Sequence, residues 1–147
     1  MTFKKIDENQ VVLVAEDSDD DYEMTLRALR KDKNFLNPIV RAKDGQEVFD
    51  YLETNKVALP GLLLLDLNMP GVDGHTVLKK LKTDSSLKNI PIVILTTSGS
   101  LQDVDSCYAA GANTYVQKPV HFEGFFSAMR SIKEYWFNVS VLPRVVL

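Results

Sequence analysis

Cysteine is nearly absent: Cys107 stands alone, so no internal disulfide can form, which suits a reducing compartment. No segment reaches the roughly 20 consecutive apolar residues that a bilayer-spanning helix needs. The opening Met1-Thr2-Phe3-Lys4-Lys5 leads into Ile6-Asp7-Glu8-Asn9-Gln10, which has no signal-like apolar core. There is no dense block of Lys and Arg, and the net charge is −3, which argues against a nucleic-acid surface. Internal repeats and low-complexity stretches are missing too, so no second module is expected. These absences describe a cytoplasmic protein with neither membrane nor nucleic acid as partner. At 147 residues with 45% hydrophobic content, one domain can bury most of its apolar surface without metals or disulfides.

What is present is organised around Leu62-Leu63-Leu64-Leu65-Asp66-Leu67-Asn68-Met69-Pro70-Gly71-Val72-Asp73-Gly74. A short leucine run ended by turn residues reads as a strand buried on both faces, with the Asp66 carboxylate at its carboxyl end. Val11-Val12-Leu13-Val14-Ala15 reads the same way and runs into Glu16-Asp17-Ser18-Asp19-Asp20-Asp21, whose later acids suit the first turn of a helix. Pro38 to Ala42, Pro91 to Leu95 and Asn113 to Gln117 are the remaining strand candidates. Helical spacing follows each strand, and the last helix carries Phe122, Phe125, Phe126, Met129, Ile132 and Trp136 as an apolar stripe. Strands alternating with helices imply right-handed crossovers, an α/β fold with a parallel sheet and helices on both faces. The expected architecture is a doubly wound five-stranded sheet in the order 2-1-3-4-5, whose ligands bind beyond the carboxyl ends of strands one and three. Residues 1–10 form an N-terminal extension to the domain at 11–137, and 138–147 form an apolar tail.

Four strand ends then deliver complementary groups to one edge of the sheet: Glu16 and Asp17, Asp66, the Thr96 hydroxyl and the Lys118 ammonium. Crowded carboxylates repel unless a cation sits among them, and an all-oxygen site of this kind suits Mg²⁺ completed by water and a phosphate. A carboxylate beside such a metal can attack phosphorus and form an aspartyl phosphate.

These residues, with Met69-Pro70, Asp73-Gly74 and Lys118-Pro119, are similar to the receiver domains of two-component response regulators over nearly the whole chain. The acidic run 16–21, Trp136 and Leu142-Pro143 look most like the stand-alone receivers that partner phytochrome-type kinases. The resemblance implies a flavodoxin-like three-layer sandwich with Asp66 as phosphoacceptor. It makes Asp17 a direct Mg²⁺ ligand, Asn68 a ligand through its backbone carbonyl, and Glu16 a ligand through water. Thr96 and Lys118 would contact the phosphoryl group, and the Lys118–Pro119 bond would be cis. Tyr115 matches the family's switch aromatic, with a half-buried sheet-edge tyrosine as the alternative. Thr97 departs from the small residue usual beside the site, and Val120 from the aromatic common after Lys-Pro.

The function so implied is a single-domain response regulator, not an enzyme beyond its own phosphorylation and dephosphorylation. A sensor histidine kinase, phytochrome-type by resemblance, and a histidine phosphotransfer protein are the expected partners, with output through protein contact. The apolar tail either folds back on its own domain or joins a homodimer with the last helix; the resemblance favours the dimer. A Mg²⁺-dependent phosphohydrolase is countered by Asn68, where such enzymes carry a second Asp. A flavodoxin-like cofactor carrier is countered by the acids that follow the first strand. A pseudo-receiver that binds partners without phosphorylation stays open. Surface or capping roles are expected for His75 and His121, and Cys107 reads as a small buried hydrophobe.

Overall fold

The computed structural model describes residues 4–143. Five strands, β1 (Val12–Ala15), β2 (Ile39–Ala42), β3 (Leu62–Leu65), β4 (Ile92–Thr96) and β5 (Thr114–Gln117), alternate with five helices. These are α1 (Asp19–Arg30), α2 (Gly45–Thr54), α3 (Gly74–Thr83), α4 (Leu101–Ala109) and α5 (Phe122–Lys133). The strands pair in parallel in the order β2-β1-β3-β4-β5, as the alternation of strand and helix requires.

Side chains alternate across a strand, so each central strand feeds two cores. Leu13, Leu63, Leu65, Ile92 and Ile94 pack with Val48, Leu52, Val77, Leu78 and Leu81 on one face. Val12, Val14, Leu62, Leu64, Val93 and Leu95 pack with Ala28, Leu29, Phe125, Met129, Ile132 and Trp136 on the other. This double burial is why the strands read as unbroken apolar runs.

Four helices begin on a side-chain cap: Ser18 to Asp21 N (3.2 Å), Asp44 to Glu47 N (2.8 Å), Asp73 to Thr76 N (2.9 Å) and Ser100 to Asp103 N (3.1 Å). Each satisfies an otherwise unpaired N–H of the first turn. α1, α2 and α4 start within a few residues of the strand ends, whereas the loop between β3 and α3 is longer and carries Asp66 to Asp73.

Two expectations for the C-terminal part need correction. Phe122 is 48% exposed and does not belong to the buried stripe. As the first residue of α5 it projects beyond the sheet and meets Phe126 edge-on, at 4.6 Å between centroids. The helix also does not continue regularly: after Lys133 it widens into a π-helical segment, Glu134–Val139, with Trp136 still buried. Residues 138–143 then turn back on their own domain. Leu142 N donates to Lys4 O (2.8 Å) in an antiparallel bridge and Lys5 Nζ to Asn138 O (2.7 Å), while Ile6 is buried in the core beside them. Asn37 Nδ2 donates to Asp7 O (2.8 Å) and Gln10 O (2.9 Å), fastening the N-terminal segment to the approach to β2. Residues 144–147 of the tail lie outside the described residues.

Gly74 opens α3 where the chain turns back under the end of β3. A Cβ there would sit 2.2 Å from the Asp66 carbonyl oxygen and 2.7 Å from Leu67 Cα. Gly74→Ala must push the Asp66 loop outward, and overpacking of this kind costs about 1–3 kcal/mol. A lower urea midpoint with an unchanged slope is the expected outcome; an unaltered midpoint would show that the loop yields freely.

Candidate functional site

The register of the sheet brings the polar groups to one edge. Glu16 N donates to Ala42 O (2.9 Å), Asp66 N to Ala15 O (3.1 Å) and Lys118 N to Thr96 O (2.7 Å), so the residue following each strand is still held by its neighbour. Glu16, Asp17 and Asp66 each present a carboxylate oxygen, and these atoms lie within 4.8 Å of one another. Asp17 is exposed, whereas Glu16 and Asp66 are buried.

Lys118 reaches across the sheet into this cluster. Its buried ammonium donates to Asp66 Oδ2 (3.2 Å), to Asp21 Oδ2 (2.9 Å) and to Glu16 Oε1. Asp66 Oδ1 accepts from Asn68 N at 3.1 Å. Burial alone would lower the Lys118 pKa, but Glu16, Asp66 and Asp21 outweigh it and hold the ammonium charged. Burial pushes the Glu16 carboxyl up to about 8, reinforced by the adjoining Asp66 and only partly opposed by Lys118. Burial pushes Asp66 the same way, yet the adjoining Glu16 carboxyl, the Lys118 charge and the Asn68 N–H together bring it below its ordinary value. The nucleophilic candidate is thus the carboxylate whose pKa its neighbours lower.

Asp21 was expected only as a first-turn helix acid. It joins the site because α1 starts so soon after β1 that its third residue faces Lys118, a contact between residues 97 apart in sequence. Arg41 was also missed. From the edge strand β2 it donates to Glu16 O (3.0 Å), Asp17 O (3.2 Å) and Asp19 Oδ1 (2.7 Å), and its guanidinium lies 4.7 Å from the Tyr22 ring centroid. It pins the backbone of the acidic loop and leaves the site carboxylates free. An arginine in an edge strand facing a run of acids was the available signal.

The residues fit a hard divalent cation. Three carboxylates converge, and Glu16 Oε2 is buried with no hydrogen-bond partner, a costly arrangement for an acceptor that nothing satisfies. Asp17 and Asp66 would hold the ion directly, and Glu16 would hold a water on it. Bound there, the cation would neutralise charge on phosphoryl oxygens.

The other expected residues stand one step away. Thr96 is fully buried, and its hydroxyl accepts from Asn68 Nδ2 (3.4 Å) and Ser98 N (3.5 Å), both long contacts. Tyr115 is half-buried and donates its hydroxyl to Ser98 O (2.8 Å), so it meets the loop after Thr96 without entering the acid cluster. Ser98 Oγ in turn donates to Asp103 Oδ2 (2.6 Å), and Asp103 Oδ1 lies 3.2 Å from His75 Nε2 on α3. Cys107 is fully buried, as expected, with its sulfur 3.9 Å from His75 Nδ1. His121 precedes α5 but makes no side-chain cap. Thr97 and Val120 are exposed at the rim. The Lys118–Pro119 bond is trans, not cis: the trans form is lower by about 0.5–1 kcal/mol, and with it Lys118 already reaches its partners.

Residues 12–130 match the family model described as the response regulator receiver domain. Among curated relatives, the probable methanogenesis regulatory protein FilR2 of Methanothrix harundinacea is 37% identical over 90% of this chain and 87% of its own length. Response regulator Rcp1 of Synechocystis is 33% identical over 91% and 93%. A crystal structure of the Mn(2+)-bound form of Rcp1 superposes with TM-score 0.83 at 31% identity, covering 92% of this chain and 99% of that one. The phosphorylated cyanobacterial phytochrome response regulator RcpA superposes with TM-score 0.86 at 31% identity and the same coverage.

Asp17 makes no side-chain contact that the fold needs, so Asp17→Asn isolates cation binding. With Mg²⁺ or Mn²⁺ at about 100 times its dissociation constant, the wild-type chain should gain about 2.7 kcal/mol of stability, and the variant almost none. Equal thermal shifts in both proteins would place the ion elsewhere.

Proposed function

Because this chain belongs to the response regulator receiver domain family, we propose that it accepts a phosphoryl group on Asp66 from a sensor histidine kinase in a Mg²⁺-dependent reaction and signals by phosphorylation-dependent protein contacts. The observation that carries this reading is the Asp66 carboxylate, held by Lys118 and Asn68 at the mouth of a three-carboxylate cluster. The likeness to phytochrome response regulators favours a phytochrome-type kinase as donor, with a histidine phosphotransfer protein as a second exchange partner.

In the reaction, a carboxylate oxygen of Asp66 attacks phosphorus in line with the P–N bond of the donor phosphohistidine. That bond breaks, its electron pair returns to the imidazole nitrogen, and the phosphoryl group is left on Asp66. Positioning and charge neutralisation supply most of the catalysis in phosphoryl transfer. Lys118 donates to one phosphoryl oxygen, giving up part of its present contact with the carboxylates. Thr96, with two long contacts, is free to donate its hydroxyl to another. Water attack on phosphorus later restores Asp66 and releases phosphate. The chain thus catalyses only its own phosphorylation and dephosphorylation.

Asn68 in place of a second Asp supports this reading over a phosphohydrolase, since an amide at that position has no proton to give to an external leaving group. Among the described residues no helix is long and apolar enough to cross a membrane, and a cytoplasmic location accords with the kinase partner. Tyr135, Val139 and Val141 expose apolar surface around the tail, which supports a homodimer through the last helix and tail.

Incubated with Mg²⁺ and acetyl phosphate, the wild-type chain is expected to gain one phosphoryl group in intact mass, with the gain abolished by chelator and absent in Asp66→Asn. Gain in both proteins means that another residue is the acceptor, and none in wild type favours a pseudo-receiver. Thr96→Ala should still be phosphorylated but lose most of the gain in partner affinity, a coupling of about 1–3 kcal/mol. An undiminished gain in that variant would remove Thr96 from the response.

A further inference from the structure

At the opposite end of α1 from Asp21, its last turn and the second half of α5 enclose a cleft of about 280 Å³ lined by Ala28, Lys31, Asp32, Phe126, Arg130 and Lys133. Three cations face one carboxylate there. Asp32 Oδ1 is already engaged by Asn34 N at 2.9 Å.

Lys133 is the residue that the fold alone does not explain. It is only 8% exposed, and among the described residues no carboxylate lies within 4.0 Å of its ammonium. Its one hydrogen-bond contact is a 3.4 Å approach to Leu29 O, an orphan carbonyl at the end of α1. That is longer than the usual 2.7–3.2 Å for such a bond. The nitrogen also lies 5.6 Å from the Phe35 ring centroid, sharing that ring with Arg30 at 5.8 Å. Burial depresses its pKa; Asp32 partly opposes this, and Arg130 adds a smaller push in the same direction as burial. Capping Leu29 would use one N–H of three and would call for neither the cleft nor the two further cations around it. A buried ammonium is ordinarily paired, and the missing partner here is an anion.

The rest of the cleft describes that anion. Phe126 and Arg130 are one helical turn apart, and Lys133 follows on the same line of α5. Lys31 closes the α1 side with its ammonium 5.0 Å from the Phe126 ring centroid. The α5 wall therefore runs from aromatic Phe126 to cationic Arg130 and Lys133, and the volume falls just below the roughly 300–1,000 Å³ of ligand sites. We propose that the cleft between α1 and α5 binds a small organic oxyanion, a phosphate ester or carboxylate carrying a flat apolar group. Lys133 and Arg130 are its charge partners and Phe126 its apolar wall. The site is separate from the Asp66 cluster.

The test is a titration of the full chain with phenyl phosphate, followed by amide chemical shifts at constant ionic strength and without divalent cation. Saturable shifts centred on Ala28, Lys31, Phe126, Arg130 and Lys133 are expected, with at least fivefold weaker binding in Arg130→Gln and in Lys133→Met. Benzyl alcohol, the same ring without the charge, should give no saturation. Arg130 is exposed, so its variant keeps the test valid even where Lys133→Met unfolds. Shifts that rise without saturating, shifts centred on Asp66 and Lys118, or unchanged affinity in Arg130→Gln would each overturn the proposal. Saturation by a poly-glutamate peptide but not by phenyl phosphate would also overturn it, since the occupant would then be a protein segment.

Discussion

The Lys118 ammonium is the point on which the functional end of the molecule depends. Glu16, Asp21 and Asp66 come from β1, α1 and β3, and each contacts Lys118 after β5. Without that single positive charge the edge of the sheet would hold four carboxylates and no cation of its own. Even with it the cluster holds more carboxylates than cations, and Glu16, raised chiefly by burial and then by Asp66, keeps an unpaired Oε2. A fold optimised only for stability would not retain such an arrangement. Under the proposed function its cost would be offset by a divalent cation and a phosphoryl group sharing the site.

The sheet makes this concentration of charge tolerable. β1 and β3 are buried on both faces, and their ends are held by neighbouring carbonyls, so the acids cannot move apart to relieve their repulsion. Gly74 allows α3 to start against the Asp66 backbone, and Gly45 allows α2 to start 2.4 Å, by its absent Cβ, from Val72 O. These close approaches keep the loops compact, and Arg41 holds the acidic loop from behind. Rigidity in the scaffold fixes the carboxylate before any ligand arrives, which is what the proposed in-line attack would need.

Much of this was legible in the residues. Short apolar strands such as Leu62–Leu65 announce themselves because both faces are buried, and alternation with helices leaves few topologies. The site residues were legible because each ends a strand, and strand ends in such a sheet meet at one edge. What escaped were contacts set by side-chain reach: Asp21 looked like any helix-opening acid, and Arg41 like any edge-strand cation. The exposure of Phe122 follows from where α5 starts relative to the sheet, which periodicity does not report. The π-helical widening after Lys133 and the pairing of Leu142 with Lys4 depend on how the two termini meet, and no local pattern encodes that. The trans Lys118–Pro119 bond corrects an inference from likeness, not from the residues.

The same geometry explains how a change at Asp66 could be felt at a distance. A phosphoryl group shifts an equilibrium only through contacts that differ between two states. Thr96 has such contacts to gain, since its present partners sit at 3.4 and 3.5 Å. Beyond it, Tyr115, Ser98, Asp103 and His75 form a continuous chain of polar contacts from β5 through the loop after β4 to α4 and α3. Ser98 belongs to that chain twice, by its carbonyl and by its hydroxyl, and its N–H also faces Thr96. A pull on the Thr96 loop therefore cannot move Ser98 without altering both the Tyr115 bond and the Asp103 bond. Coupling of this kind needs a discrete element with two arrangements, and the Ser98 junction, two residues from the Thr96 hydroxyl, is where these contacts meet.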